Sequence, residues 1–329
     1  MKTIFYLFTV SLLVIYSCKH HDVVITENIL SSIKSIDKLS DSSYILSAQS
    51  MLLNDNKLFF LDERRSQIIV LDNELNLLTT IGRGGKGPNE FIPSSFTVIG
   101  KDTVVVNDSG NNRLQLYHSS GNHIRSISLR DISARLINGF HYNNRVLTAT
   151  SIGNKAIIMY RFNEAYLPNM VKEFGERYKF NSEIQNGIRN DRYLHKYNGK
   201  TIAISDNQPF IELYDIDGNI LTRYDYSNIE IIENQLKYIK NKGQTNEKSY
   251  MRLVHHTYIF NDNLYILINR NTPQFARNII IQFSLKPEII PSRLYYLPDN
   301  IYTTFAVDEK FLYAYAYLES KIQKLKLLE

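Results

Sequence analysis

Four residues at the ends of short strands, Asp62, Asp108, Asn207 and Asn269, carry the oxygen donors that a hard cation such as calcium prefers. The same residue types also cap turns and bond neighbouring backbone groups in proteins of any function, so each has a structural role open to it as well. A second set is cationic: Arg64, Arg65, Arg83, Lys86, Arg113, Lys155, Arg270 and Arg277, with Glu90 among them. Forked guanidinium donors suit carboxylate, sulfate or phosphate groups, which makes this set a candidate ligand-binding face. Groups for covalent or metal chemistry are sparse. His20-His21 adjoin the chain's single cysteine, His141 and His195 stand alone, and His255-His256 begin a strand, where adjacent side chains point to opposite faces. Neither a Gly-x-Ser-x-Gly elbow nor a His-Glu-x-x-His helix occurs. Gly-Lys at 85–86 is followed by Gly87-Pro88 rather than Ser or Thr and a helix, which excludes a P-loop.

The elements that must position these residues form a repeat. Leu52-Leu53, a turn at Asn54-Asp55-Asn56, a strand over 57–61, a polar loop over 62–66, a strand over 67–71, and a further turn and strand ending at Ile81 make one unit. The same order recurs from Gly100, Asn143, Asn198, Asn261 and Asp308, and Asn198-Gly199 predicts a type I′ hairpin. Repeats of about 40–50 residues with four strands each predict a β-propeller, because one blade cannot bury both its faces alone. The expected fold is all-β, a six-bladed propeller of four-stranded antiparallel blades. The sixth copy lacks one strand before the chain ends, and the stretch 22–39 belongs to no other blade. It is expected to supply that outer strand and close the ring.

In this topology the loops between second and third strands share a face with the blade-to-blade crossovers. Those loops hold the cationic set and the four oxygen donors, which makes that face the expected site. Two insertions fall in crossovers of this face, at about 175–190 and 228–250. In the second, Ile229, Ile232, Leu236 and Ile239 recur at helical spacing, with Lys237, Lys240 and Lys242 near the end. This predicts an amphipathic helix ending near Gly243 and packed on the disc.

The stretch Ile81-Gly82-Arg83-Gly84-Gly85-Lys86-Gly87-Pro88-Asn89-Glu90-Phe91 resembles the Gly-rich, Gly-Pro-x-Glu-Phe loop of six-bladed propeller lipoproteins of gut Gram-negative bacteria, a family similar to NHL-repeat propellers. The resemblance implies the fold and an envelope address more than an activity. Its glycines are expected to permit positive φ in the crossover, with Phe91 anchoring the loop in the next blade.

The start of the chain points the same way. Lys2 precedes an apolar run over 4–16 that is short for a bilayer span and suits a signal peptide over 1–17. Ile15-Tyr16-Ser17-Cys18 resembles a lipobox, so Cys18 is the expected lipidation site, followed by a linker over 18–21 and the propeller over 22–329. Lys19 is unlike an inner-membrane retention Asp, which favours the outer membrane. With one cysteine, an intrachain disulfide is excluded. A formal charge of +5, with acids scattered throughout, is unlike the basic stripe of a nucleic-acid binder. The expected function is a monomeric, membrane-anchored binding scaffold for a protein, peptide or glycan, without an obligatory cofactor. The alternative is a calcium-dependent hydrolase or lyase of the lactonase-like type, with the ion on the axis.

Overall fold

A computed structural model describes residues 25–242, 248–270 and 275–327. Cys18, the signal segment and Gly243 lie outside the described residues. Six sheets follow one another around an axis, each with its antiparallel strands in chain order from inner to outer, and the sheets of blades 5 and 6 each take one further strand from near the N-terminus. The inner strands are Met51–Asn54, Ser95–Ile99, His141–Asn143, Arg192–Tyr197, Val254–Phe260 and Tyr302–Val307, in blades 1 to 6.

Burial explains why the second and third strands read as near-continuous apolar runs. Each blade is sandwiched between two neighbours, so alternate side chains of Thr103–Asp108 enter different interfaces and Val104, Val105 and Val106 are all buried. The outer strand meets solvent, and Ile220–Asp225 is exposed along most of its length. Cores lie between blades: Ile202, Ile204 and Ile211 of blade 4 pack with Ile266, Ile268 and Ile279 of blade 5. A register shift between third and fourth strands recurs in blades 1 to 5, at Val70/Leu71, Leu116/Tyr117, Met159/Tyr160, Leu213/Tyr214 and Gln282/Phe283. Bulges increase local twist, so this repeated irregularity is part of the blade's shape. Asn198 and Gly199 both have positive φ, as a type I′ turn requires.

The ring closes as the sequence predicts. Ser32–Ile36 pairs antiparallel with Lys321–Lys326 as the outer strand of blade 6. The preceding Thr26–Ile29 adds a feature absent from the sequence reading: it lies parallel to Ile290–Tyr296 as a fifth strand of blade 5. The N-terminal segment therefore ties two blades together.

Two helices occupy the insertions. Helix α1, Glu183–Ile188, is capped by Ser182, whose Oγ accepts the Gln185 N–H at 3.3 Å. Helix α2, Glu230–Lys242, places Ile232, with Ile229 just before it, in the core between blades 4 and 5. Its amphipathic spacing thus reports a covering helix on the disc.

Candidate functional site

The inner strands leave an axial cavity of about 510 Å³ that reaches the loop-rich face. Residues at the starts of the inner strands form a polar rim: Gln49 and Ser50, Ser94 and Ser95, Asn138, and Arg252. Deeper along the same strands the walls become mixed, with Leu52, Phe96, Thr97, Phe140, Leu194, His195, His256, Thr257, Tyr258 and Ile259.

Local irregularities create this cavity. In blade 3 the strand beside Val146–Ser151 is split into Ala134–Arg135 and His141–Asn143, and the connecting Ile137, Asn138 and Gly139 project into the lining. In blade 5 the pairing skips from Val254 to His256, leaving His255 as an extra residue. The bulge breaks the alternation expected of a regular strand, so both His255 and His256 line the cavity.

The isolation expected for His195 is also corrected. Its Nε2 lies 2.7 Å from Thr257 Oγ1, while His256 Nε2 lies 3.3 Å from Thr304 Oγ1 of blade 6. Burial holds His141 and His195 down at about 4, with the charge of Lys196 acting on the first and His141 on the second. Burial, reinforced by His195, takes His256 to about 3. These imidazoles are neutral at pH 7 and act as hydrogen-bonding groups. Among the described residues no three of His, Cys, Asp and Glu are grouped to hold a metal.

At the blade 4–5 corner, Asp206 is completely buried. Its Oδ2 accepts the Tyr250 hydroxyl and stands 3.6 Å from Arg252 Nε, while its Oδ1 lacks a hydrogen-bond partner among the described residues. Burial pushes this carboxyl up to about 7 against the opposing pull of Tyr250 and Arg252. Nearby Asp191 pairs with Arg135 at 3.0 Å and is also raised by burial.

The residues singled out from sequence occupy several separate places. Asp62 accepts N–H groups of Leu46 and Arg65, both at 3.1 Å, and the Ser47 hydroxyl. Asp108 accepts the Ile92 N–H at 2.7 Å, Arg113 Nε at 2.7 Å and Gln115 Nε2 at 3.0 Å. Both are engaged in joining their own blade's strands to the preceding crossover. Asn269 donates to the Arg252 carbonyl, and Asn207 accepts from Gln208. The structure does bring Arg83, Lys86, Glu90 and Arg113 together. Arg83–Gly84 pairs with Glu90–Phe91, the Glu90 carboxylate accepts the Lys86 and Gly87 N–H groups at 3.0 and 2.8 Å, and Arg113 binds the Gly87 and Glu90 carbonyls. Gly82 and Gly85 have positive φ, and buried Phe91 is clamped between blades 1 and 2. Arg64 is exposed, whereas Arg65 is folded back onto Ser43 and Tyr44. Lys155 is exposed beside blade 3, and Arg270 holds Asn278 at 3.0 Å. Arg277 touches a residue of the cavity lining, with Nη1 2.8 Å from His255 Nδ1.

With the architecture and cavity in view, solved structures give the comparison. A member of the DUF4221 family from Bacteroides vulgatus is 13% identical with a TM-score of 0.60, covering 90% of this chain and 97% of its own. A Bacteroides fragilis protein described as exported is 14% identical with a TM-score of 0.57, covering 93% and 100%. The Cps50 (Swd1) β-propeller domain of Myceliophteria thermophila is 8% identical with a TM-score of 0.53, covering 91% and 100%. The chain is a six-bladed β-propeller. At these identities the likeness concerns the fold. No protein-family model and no curated protein matches the sequence.

Sequence reasoning missed Asp206, Tyr250, Arg252, His256 and the 136–140 loop as one neighbourhood. The usable signal was positional: Asp206 directly follows a second strand, close to where Asp62 and Asp108 end theirs, and Arg252 lies two residues before an inner strand.

Proposed function

We propose that this propeller is an exported, lipid-anchored binding protein of the cell envelope, with the axial cavity as the centre of its binding face. The single observation that carries the binding role is the open cavity on the loop-rich face, with a polar rim over a mixed interior. Such concave sites, with a few polar groups set among apolar walls, are where propeller-sized scaffolds hold ligands. Supporting the address are the Cys18 lipobox, the resemblance of the Ile81–Phe91 loop to the lipoprotein propellers, and the Bacteroides fragilis neighbour described as exported. No helix among the described residues is long and apolar enough to cross a membrane. Lys19 after the proposed anchor supports outer-membrane placement.

The partner is a protein or peptide, engaged by its end in the cavity and by flanking contacts on the face. A catalytic calcium reading has less support, since Asp62 and Asp108 are each held by several donors of their own blade. The test is a cavity-filling variant, Ser50→Trp, used as bait beside wild type against envelope extracts. Partner captured by wild type and lost in Ser50→Trp, with an unchanged melting temperature, is expected. Equal capture by both overturns the cavity as the centre. Cys18→Ala, expected to release the protein from the membrane fraction, checks the anchor independently.

A further inference from the structure

The outer strands of the blades do not expose apolar side chains evenly. Among the described residues, blades 1 and 2 show one large exposed apolar residue each on theirs, Leu78 and Ile124. The outer strand of blade 3, Pro168–Phe174, shows Met170 and Val171, with Leu167 just before it. That of blade 4 shows Ile220 and Leu221, and Ile216 in the preceding turn is 72% exposed. These two groups adjoin. Lys172 Nζ donates to the Ile216 carbonyl at 2.5 Å, and the Phe174 and Tyr214 rings meet with centroids 5.2 Å apart. A Cβ at Gly218, in the same turn as Ile216, would lie 2.7 Å from the Phe174 ring. Exposed apolar side chains therefore gather on one arc of the rim, a concentration that marks an interaction surface.

The start of the chain points to what covers this arc. Ile25, the first described residue, lines a groove with Ile229 and Ile231 at the foot of helix α2 and with Leu294 and Tyr296 of blade 5. The outer strand of blade 4, Ile220–Asp225, leads into the foot of that helix, so about 20 Å of strand separates the patch from the place where the chain enters the fold. Cys18 stands seven positions before Ile25, a reach of at most about 25 Å when fully extended. A lipid at Cys18 would hold this side of the disc close to the headgroups, where a second, weak apolar contact is effectively intramolecular. The charged groups of these strands and of the turn, Lys172, Glu173, Asp215, Asp217, Arg223 and Asp225, are of both signs, which leaves burial of apolar surface as the attraction.

We propose that the rim of blades 3 and 4 rests on the bilayer that holds the anchor, with Met170, Val171, Ile216, Ile220 and Leu221 entering the headgroup region. The disc then stands on edge, and its loop-rich face and axial cavity open sideways, clear of the membrane. This rests on the lipid anchor proposed above and goes beyond it by naming the surface that meets lipid.

The chain has no tryptophan, so a single introduced one reports its own surroundings. Ile216→Trp, Leu221→Trp and, as a reference in an exposed loop of the other face, Leu318→Trp are made separately in the full lipidated protein. Each is reconstituted in phosphatidylethanolamine vesicles carrying brominated acyl chains. The fluorescence of Ile216→Trp and Leu221→Trp is expected to shift to the blue and to be quenched about twofold or more, at low and at high salt, with Leu318→Trp unaffected. Equal quenching at all three positions, or none, in protein that stays on the vesicles overturns the rim assignment and leaves the anchor standing. Quenching of Leu318→Trp alone also overturns it and puts the loop-rich face against the membrane. Sedimentation of the unanchored Cys18→Ala form is expected to show a monomer. A dimer that Leu221→Glu dissociates would instead assign the patch to a second copy of the chain. Wild type missing from the membrane fraction of cells removes the anchor, and this proposal with it.

Discussion

Asp108 ends the second strand of blade 2 and Asp206 directly follows that of blade 4; they are equally buried, yet their surroundings differ. Asp108 receives a crossover N–H, the Asn111 side-chain amide, Arg113 and Gln115, so both oxygens are saturated with donors. Asp206 receives the Tyr250 hydroxyl and a more distant guanidinium on one oxygen and nothing from the described residues on the other. Burial of a charge is tolerated when donors replace water and is costly when they do not. The first corner is therefore a structural joint. The second stores unsatisfied polarity beside the axial cavity, which is the mark expected of a working site.

The largest effect that would break this comparison is at the joint. Asp108→Ala leaves Arg113 and the Ile92 N–H without their acceptor and is expected to cost about 3–5 kcal/mol, the range for breaking a buried pair. Chemical denaturation measures it. A loss under about 1 kcal/mol would mean that Asp108 is no more structural than Asp206. Next comes the adjoining loop. A Cβ at Gly82 would sit 2.1 Å from the Phe91 ring, with φ at +74°. Because Phe91 is locked between blades, Gly82→Ala is expected to cost about 2–4 kcal/mol, combining overpacking with a strained φ. At the exposed end of the same loop, Arg83→Ala removes a pair with Glu90 and is expected to leave the melting temperature within measurement error.

How far this contrast was legible in sequence depends on the range of the forces that make it. The propeller was readable because its period is local: Leu58–Leu61 and Ile68–Leu71 are apolar stretches whose blade-to-blade burial demands them. Helix α2 was readable from Ile229, Ile232 and Leu236, and the Gly-rich loop from its own composition. Thr26–Ile29 was not, since a fifth strand on the rim is mostly exposed and carries no apolar alternation. Helix α1 is short and polar with Gly187 inside it, leaving little periodicity to detect. The site was least legible. Asp206, Tyr250 and Arg252 meet through packing of blades 4 and 5, and the bulge at His255 reverses the inference that alternation would draw. Asp206 and Asp108 are the same residue type at the corresponding end of a second strand; only the donors around them separate the two.

The sharpest reading of that separation is the dependence of stability on pH. Asp206 holds its proton to about 7 in the folded protein, against an ordinary value of 3.8. The folded state therefore binds more protons than the unfolded state between these values, and stability falls as pH rises through that window. The loss begins near pH 4, is complete above about 7, and amounts to a few kcal/mol, roughly 1.4 per pH unit while it lasts. Asp206→Asn keeps an acceptor for Tyr250 and carries no charge, so it should remove this contribution and be more stable than wild type at pH 8, with the gap closing towards pH 4. For Asp108 no such gain is available: its donors require the carboxylate, and Asp108→Asn should lose stability at pH 8. Urea unfolding of the three proteins at pH 4.5, 6 and 8 measures both differences. Opposite signs at pH 8 would establish that an aspartate at the second-strand corner serves as a joint in blade 2 and as a poised group in blade 4, whereas equal losses would make Asp206 an ordinary member of the structural ring.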